Sequence, residues 1–279
     1  MVEDLYQARF RTDESFLSIR VAGTPNILTR EHFALADRLG LGVSIDAVAG
    51  PDSTAWILSA EARGWLGPNR TLIHCTQISD DAWAAIARTG STVSLCPDAD
   101  TQYAVGRPPL AQALEAGVRP SISVDDDLGL SSDMWTQMRI LSATYRQAFG
   151  IFSDGNSADL ERARDVQAYD LLDFATRQGA KANGLEGRTG AILAGSEADL
   201  VLLEADDLNT MPLNNAYGSV VWGADTSNVH TVVVGGIIRK HGGRLVGLDL
   251  AALRERVRRS RDRLLGRAGR SLTIVERTN

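Results

Sequence analysis

The chain has 279 residues, 44% hydrophobic and 23% charged, the balance of a globular protein with room for one large domain or a domain with a smaller attachment. Its net charge of −6 argues against nucleic acid or an anionic membrane as the main partner. Two cysteines, Cys75 and Cys96, are too few for a disulfide framework or a thiolate zinc site, and reduced thiols in a cytoplasmic protein are expected.

In chain order, "MVEDLYQARFRTDESF" has no basic segment leading into an apolar run, so no signal peptide is expected, and no apolar run approaches the roughly 18 residues of a membrane span. "TREHFALADRLGL" carries its apolar residues on one helical face, with Thr29 placed to cap it and Gly40 to end it. The run "GVSIDAVAG" follows as a short strand, and "DSTAWILSAEARGWLG" as the next helix, closed by Gly67-Pro68. "RTLIHCTQI" reads as a strand, "SDDAWAAIARTG" as a helix capped by Ser79, and "STVSLCP" as a strand leading into a Cys-Pro turn. "PPLAQALEAGV" is a helix, "RPSISVDDD" a strand, and "SSDMWTQMRILSATYRQAF" and "DVQAYDLLDFATRQGAKANGL" are longer helices.

Strands separated by 10–15-residue helices with short loops predict a parallel sheet of βαβ units. The chemistry of such sheets collects at the carboxyl ends of the strands. Asp46, His74 and the run Asp125-Asp126-Asp127 fall on or just past strand ends, and that coincidence points to a site. After about residue 185, short β runs broken by glycines ("GSVVWGADTSNVHTVVVGGIIRKHGGRLVG") predict antiparallel hairpins, and "DLAALRERVRRSRDRLLGRAG" predicts a basic amphipathic helix. The expected divisions are an incomplete (β/α) barrel over 1–184, a small β-sandwich portion over 185–248, and a helix with its tail over 249–279.

Four blocks in fixed order carry a family resemblance: "TLIHCTQISDDAWAAIARTGSTVSLCPDAD", "PPLAQALEAGVRPSISVDDDLGLSSDMWTQMR", "ATRQGAKANGLEGRTGAILAGSEADLVLLEADD" and "VHTVVVGGIIRKHGGRLVG". Together they resemble the C-terminal portion of the amidohydrolase superfamily, in its cytosine deaminase and chlorohydrolase-like branch. The resemblance implies a distorted (β/α)₈ barrel with a small β-sandwich. It also implies a divalent metal held by a His-x-His pair on the first barrel strand, a His on the fifth and an Asp on the eighth, with a further His on the sixth. His74 falls at the sixth-strand histidine, Asp125 at the eighth-strand aspartate, and Asp46 at the fifth-strand histidine. The chain departs from the pattern elsewhere: the only histidines are His32, His74, His230 and His241, so there is no His-x-His, and "CPDAD" stands where Cys-Pro and then Ser-Asn is usual.

Three expectations follow from the residues and the resemblance. The fold is α/β, a partial or rearranged (β/α) TIM-type barrel. A half-barrel exposes an unpaired edge and an apolar face, so a second copy or a complementary chain is expected to cover it. With the metal ligands incomplete, the leading functional expectation is metal-independent acid–base chemistry on a small organic substrate, a dehydration, isomerisation or cyclisation. His74, Asp125 and Asp46 are the expected catalytic residues and Asp126 and Trp135 the substrate-binding ones, with no cofactor. The alternatives are a metal-dependent hydrolase or deaminase of C–N or C–halogen bonds, carrying zinc or a similar ion and completed by a partner chain, and a non-catalytic binding subunit. Cys75 and Cys96 read as small buried hydrophobes, and His32, His230 and His241 carry no role.

Overall fold

The computed structural model describes residues 2–10, 17–149 and 157–271. Residues 272–279, the end of the expected tail, lie outside them.

The chain opens with helix α1 (Val2–Arg9) and strand β1 (Val21–Gly23), and then helices and strands alternate. The order is α2 (Arg30–Leu39), β2 (Val43–Ala49), α3 (Gly50–Ala62), β3 (Arg70–Thr76), α4 (Asp80–Thr89) and β4 (Thr92–Leu95). Short helices α5 (Pro97–Gln102) and α6 (Leu110–Glu115) lead to β5 (Ser121–Ile122). Helices α7 (Met134–Gln147), α8 (Ser157–Arg164), α9 (Ala168–Ala175) and α10 (Arg177–Ala182) follow. All five strands pair in parallel in the order β1-β2-β3-β4-β5, an open sheet, consistent with a partial barrel.

Local chemistry sets most boundaries as expected. Ser79 accepts from the Ala82 N–H at the start of α4, and Asp133 accepts from the Thr136 N–H at the start of α7. Gly40 ends α2 in the left-handed conformation (φ 66°) that a side chain disfavours. His32 folds back on its own helix, its Nδ1 accepting from the Thr29 N–H. Two elements differ from expectation. The long helix expected over "DVQAYDLLDFATRQGAKANGL" breaks at Thr176 (φ −124°, ψ −81°) into α9 and α10. The Cys-Pro "turn" winds into α5, since Pro97 has the φ of a first helical residue and no N–H to lose.

The sheet has two unlike faces. Val43, Ile45, Ala47, Leu72, Val93, Leu95 and Ile122 are buried against the helices, where Phe33, Ile57, Trp83, Ile86, Leu141, Leu171 and Phe174 complete the core. The side chains that alternate with them, among them Ser44, Asp46, Ile73, Ser94 and Ser123, are half-buried. At the base of this second face Thr71 Oγ1 meets Arg20, Thr92 Oγ1 and the Ala182 carbonyl. The face expected to be apolar is therefore mostly hydroxyl and carboxylate.

Beyond α10 lie strand β6 (Leu200–Leu203), helix α11 (Ala216–Gly218) and strands β7 (Val229–Val234), β8 (Ile237–His241) and β9 (Arg244–Leu245). The strands form one antiparallel sheet in the order β6-β7-β8-β9. The run "SVVWG", read as β, is a helical turn over Ser219–Gly223. Its carbonyls are claimed by side chains of α7: Trp135 Nε1–H donates to Val220 O, and Arg139 donates to the carbonyls of Val221 and Trp222, and also to that of Ala224 just past the turn. Helix α12 (Leu250–Arg267), capped by Asp249, ends the described chain and has no buried residue. No helix among the described residues is long and apolar enough to cross a membrane.

Candidate active site

Asp46 sits in the middle of β2, while His74 near the end of β3, Cys96 just past β4 and Asp125 three residues past β5 lie toward the carboxyl ends of neighbouring strands. Alternation brings Asp46 to the open face beside Ile73, its register partner. Strict alternation would send His74 the other way, with Leu72 toward the helices. The backbone prevents this: His74 (φ 65°) and Cys75 (φ 60°) are both left-handed, which breaks the pleat and brings the imidazole beside Asp46. Asp125 is left-handed too (φ 67°). Such conformations cost non-glycine residues on the order of 1–3 kcal/mol each and persist where the surroundings enforce them.

The imidazole faces three carboxylates. His74 Nδ1 lies 2.8 Å from Asp100 Oδ1, while Nε2 lies 3.5 Å from Asp46 Oδ1 and 3.7 Å from Asp125 Oδ2. Cys96 Sγ completes a group with His74 and Asp125 whose donor atoms lie within 4.8 Å of one another. His74 is 7% exposed and Asp100 is 0% exposed. Burial pulls the His74 imidazole down, but hydrogen bonds and charges from Asp100 and Cys96 outweigh it, raising its pKa from 6.5 to about 10. Burial pushes the Asp100 carboxyl and the Cys96 thiol up, each partly offset by His74. Without a metal these neighbours favour a proton on His74, which an ion bound at Nε2 would displace.

A divalent cation fits these residues. Asp46 Oδ1 is buried and makes no hydrogen bond, although the side chain as a whole is 41% exposed, so a cation would complete the contacts of that atom. Two donors sharing one ion at about 2.0–2.2 Å in a tetrahedral arrangement stand roughly 3.3–3.6 Å apart. The 3.5 and 3.7 Å separations around Nε2 are close to that value and too long for good hydrogen bonds. The donor atoms of His74, Cys96 and Asp125 lie within 4.8 Å of one another, an imidazole, a thiol and a carboxylate that zinc accepts, with Asp46 Oδ1 at the margin, 3.5 Å from Nε2.

Supports behind these residues hold the geometry. Gln137, fully buried on α7, accepts from the Asp98 N–H at 3.1 Å and donates to the Ser131 carbonyl. Asp98 Oδ2 accepts from the Ser131 N–H at 2.7 Å, so α5, α7 and the segment carrying Asp125 are tied together.

Of the residues expected from the sequence, His74, Asp46 and Asp125 converge. Asp126 lies next to Asp125 but turns to Tyr103, whose hydroxyl donates to it at 3.1 Å, and to the Leu128 N–H. Trp135 packs against the core and spends its N–H on Val220. Sequence reasoning missed Asp100, which reaches His74 only because α5 winds a turn after Pro97. It also read Cys96 as a plain buried hydrophobe. The signal for both was an acid two residues past an Asp in a Cys-Pro segment that already departs from the usual pattern.

Residues 41–239 match the amidohydrolase family. The chain is 32% identical over 176 residues to the 5-methylthioadenosine/S-adenosylhomocysteine deaminase of Moorella thermoacetica, covering 63% of this chain and 39% of that one. It is 27% identical over 248 residues to the deaminase of the same name from Nitratidesulfovibrio vulgaris strain DP4, covering 85% and 53%. The chain thus spans about half or less of the length of these curated relatives. Among solved structures it resembles an adenosine deaminase from Xanthomonas campestris with bound zinc (TM-score 0.82, 24% identity, 94% of this chain and 60% of that one). It also resembles the atrazine chlorohydrolase of Arthrobacter aurescens TC1 complexed with zinc (TM-score 0.73, 18% identity, 91% and 57%). These likenesses overturn two expectations. Relatives named as deaminases and hydrolases contradict the metal-independent dehydration, isomerisation or cyclisation, and zinc-bound neighbours contradict the absence of a cofactor. The expectation failed because it weighed the missing His-x-His above the cation-demanding donor set that remains.

Proposed function

The chain belongs to the amidohydrolase family, and from that premise we propose that it carries the site of a divalent-metal-dependent hydrolase, one that deaminates a small amino-substituted nitrogen heterocycle. The observation that carries the reading is the cluster of His74, Cys96 and Asp125, whose donor atoms lie within 4.8 Å of one another, with the unbonded Asp46 Oδ1 3.5 Å from His74 Nε2. His74, Cys96 Sγ and Asp125 would hold the ion, with Asp46 Oδ1 alongside. When bound, a zinc ion supplies the Lewis acidity that brings the pKa of a water from 15.7 toward about 7.

The chain's own residues do the rest. Asp125 has a second oxygen free to take a proton from the attacking water and pass it to the departing nitrogen. Water adds to the carbon bearing the amino group, the C–N bond breaks, and ammonia leaves as a carbonyl forms. His74, fixed at Nδ1 by Asp100, keeps its other nitrogen aimed at the reacting centre.

The names of the curated relatives support a 6-aminopurine substrate such as 5-methylthioadenosine. The open sheet supports a covering surface, from a second copy or a complementary chain. The test is elemental analysis together with ammonia release from 5-methylthioadenosine. About one zinc per chain and turnover lost on chelation are expected. A chain that takes up no divalent ion sinks the proposal.

A further inference from the structure

Asp100 makes a contact that its place in the fold does not require. It sits in the middle of α5, fully buried, with its backbone carbonyl accepting from the N–H groups of Val105 and Gly106. Those backbone bonds would form with any residue. The carboxylate is the costly part: Oδ2 is buried without a partner, and the side chain's hydrogen bond is to His74 Nδ1, at 2.8 Å. A shorter or apolar side chain would avoid that cost and keep the helical turn.

We propose that Asp100 is a positioning residue for the metal site, a buried carboxylate that fixes the tautomer and the plane of His74. As a carboxylate Asp100 only accepts, so Nδ1 carries the shared proton. Nε2 is then the ring atom left to donate a lone pair, and it is the atom that faces Asp46 Oδ1 and Asp125 Oδ2. The lock also opposes rotation of a ring whose backbone is left-handed and therefore not held by the pleat. Carboxylates placed behind a ligating histidine raise its basicity, and their loss weakens metal binding by about 10–100-fold.

This inference rests on the proposed metal site, and the test separates the two. The zinc dissociation constant of the 279-residue chain and of Asp100→Ala and Asp100→Asn is measured by chelator competition. The His74 Nδ1–H proton is followed in the zinc-loaded proteins by long-range ¹H–¹⁵N spectroscopy. Asp100→Ala is expected to bind zinc about 10–100-fold more weakly and to lose the slowly exchanging, downfield Nδ1–H signal. Asp100→Asn, which keeps an acceptor but not the charge, is expected to retain the signal and lose affinity by a smaller factor. Equal affinity in all three proteins overturns the role of Asp100 and leaves the metal site standing. If Asp100→Ala does not fold, unchanged affinity in Asp100→Asn overturns it. A wild-type chain that binds no zinc overturns the metal site itself.

Discussion

Asp125 combines a left-handed backbone with a side chain one-third exposed, so little packing accounts for its conformation. Asp125→Gly removes the steric cost of φ 67° and one of the negative charges beside Asp46 and Asp100. It is expected to leave the thermal midpoint unchanged or raise it by the equivalent of about 1 kcal/mol, while zinc uptake falls. Differential scanning calorimetry of the metal-free proteins checks the first part and chelator competition the second. His74 makes a pH prediction. A group whose pKa folding raises contributes its full stability below its unfolded value and loses it as pH climbs through the folded value. For His74 that window runs from 6.5 to about 10, and the raised Cys96 thiol acts in the same direction above its ordinary 9.0. The metal-free chain is expected to melt progressively lower as pH rises across that window. Saturating zinc is expected to flatten the slope, because the ion replaces the proton. A melting temperature that rises with pH in the metal-free chain would contradict this account.

Among elements, α5 decides how the site is assembled. The strand-end acids and His74 were legible because a parallel α/β pattern announces where its carboxyl ends lie. Asp100 was not, since the Cys-Pro pair reads equally as a turn or as the start of a helix, and only the helix brings residue 100 under the imidazole. The inward aim of His74 was also hidden: no glycine marks its left-handed backbone, and period-two reasoning sends the ring to the wrong face. The "SVVWG" stretch misled for a third reason, because a short apolar run has no period to separate strand from helix. The tie between elements gives its own prediction. Gln137→Leu, similar in volume, leaves the Asp98 N–H and the Ser131 carbonyl without their partner and is expected to cost about 1–3 kcal/mol by urea denaturation. It is also expected to weaken zinc binding, since the segment bearing Asp125 is held through Ser131.

At the scale of the whole molecule, the five-stranded sheet buries one face thoroughly and leaves the other half-open and polar. The fold class was legible from the alternation of helices and strands. The polarity of the open face was not, because each strand was read by its apolar residues and the alternate positions were ignored. A surface that covers this sheet must then offer hydrogen bonds as well as apolar contacts. Light scattering with mass determination at micromolar concentration is expected to show a dimer or a complex with a complementary chain, and a single copy of 30.0 kDa would count against the proposed cover.

The left-handed positions have a bearing on how this sequence drifts. His74, Cys75, Gln77, Ala104 and Asp125 all hold backbones that glycine adopts more cheaply. In a display library sorted only for folded protein, glycine should accumulate at the exposed members, 77, 104 and 125. In the same library sorted for turnover, position 125 alone of those three should stay aspartate. The difference between the two pools would tell strain that selection maintains for chemistry from strain that history has merely left in place.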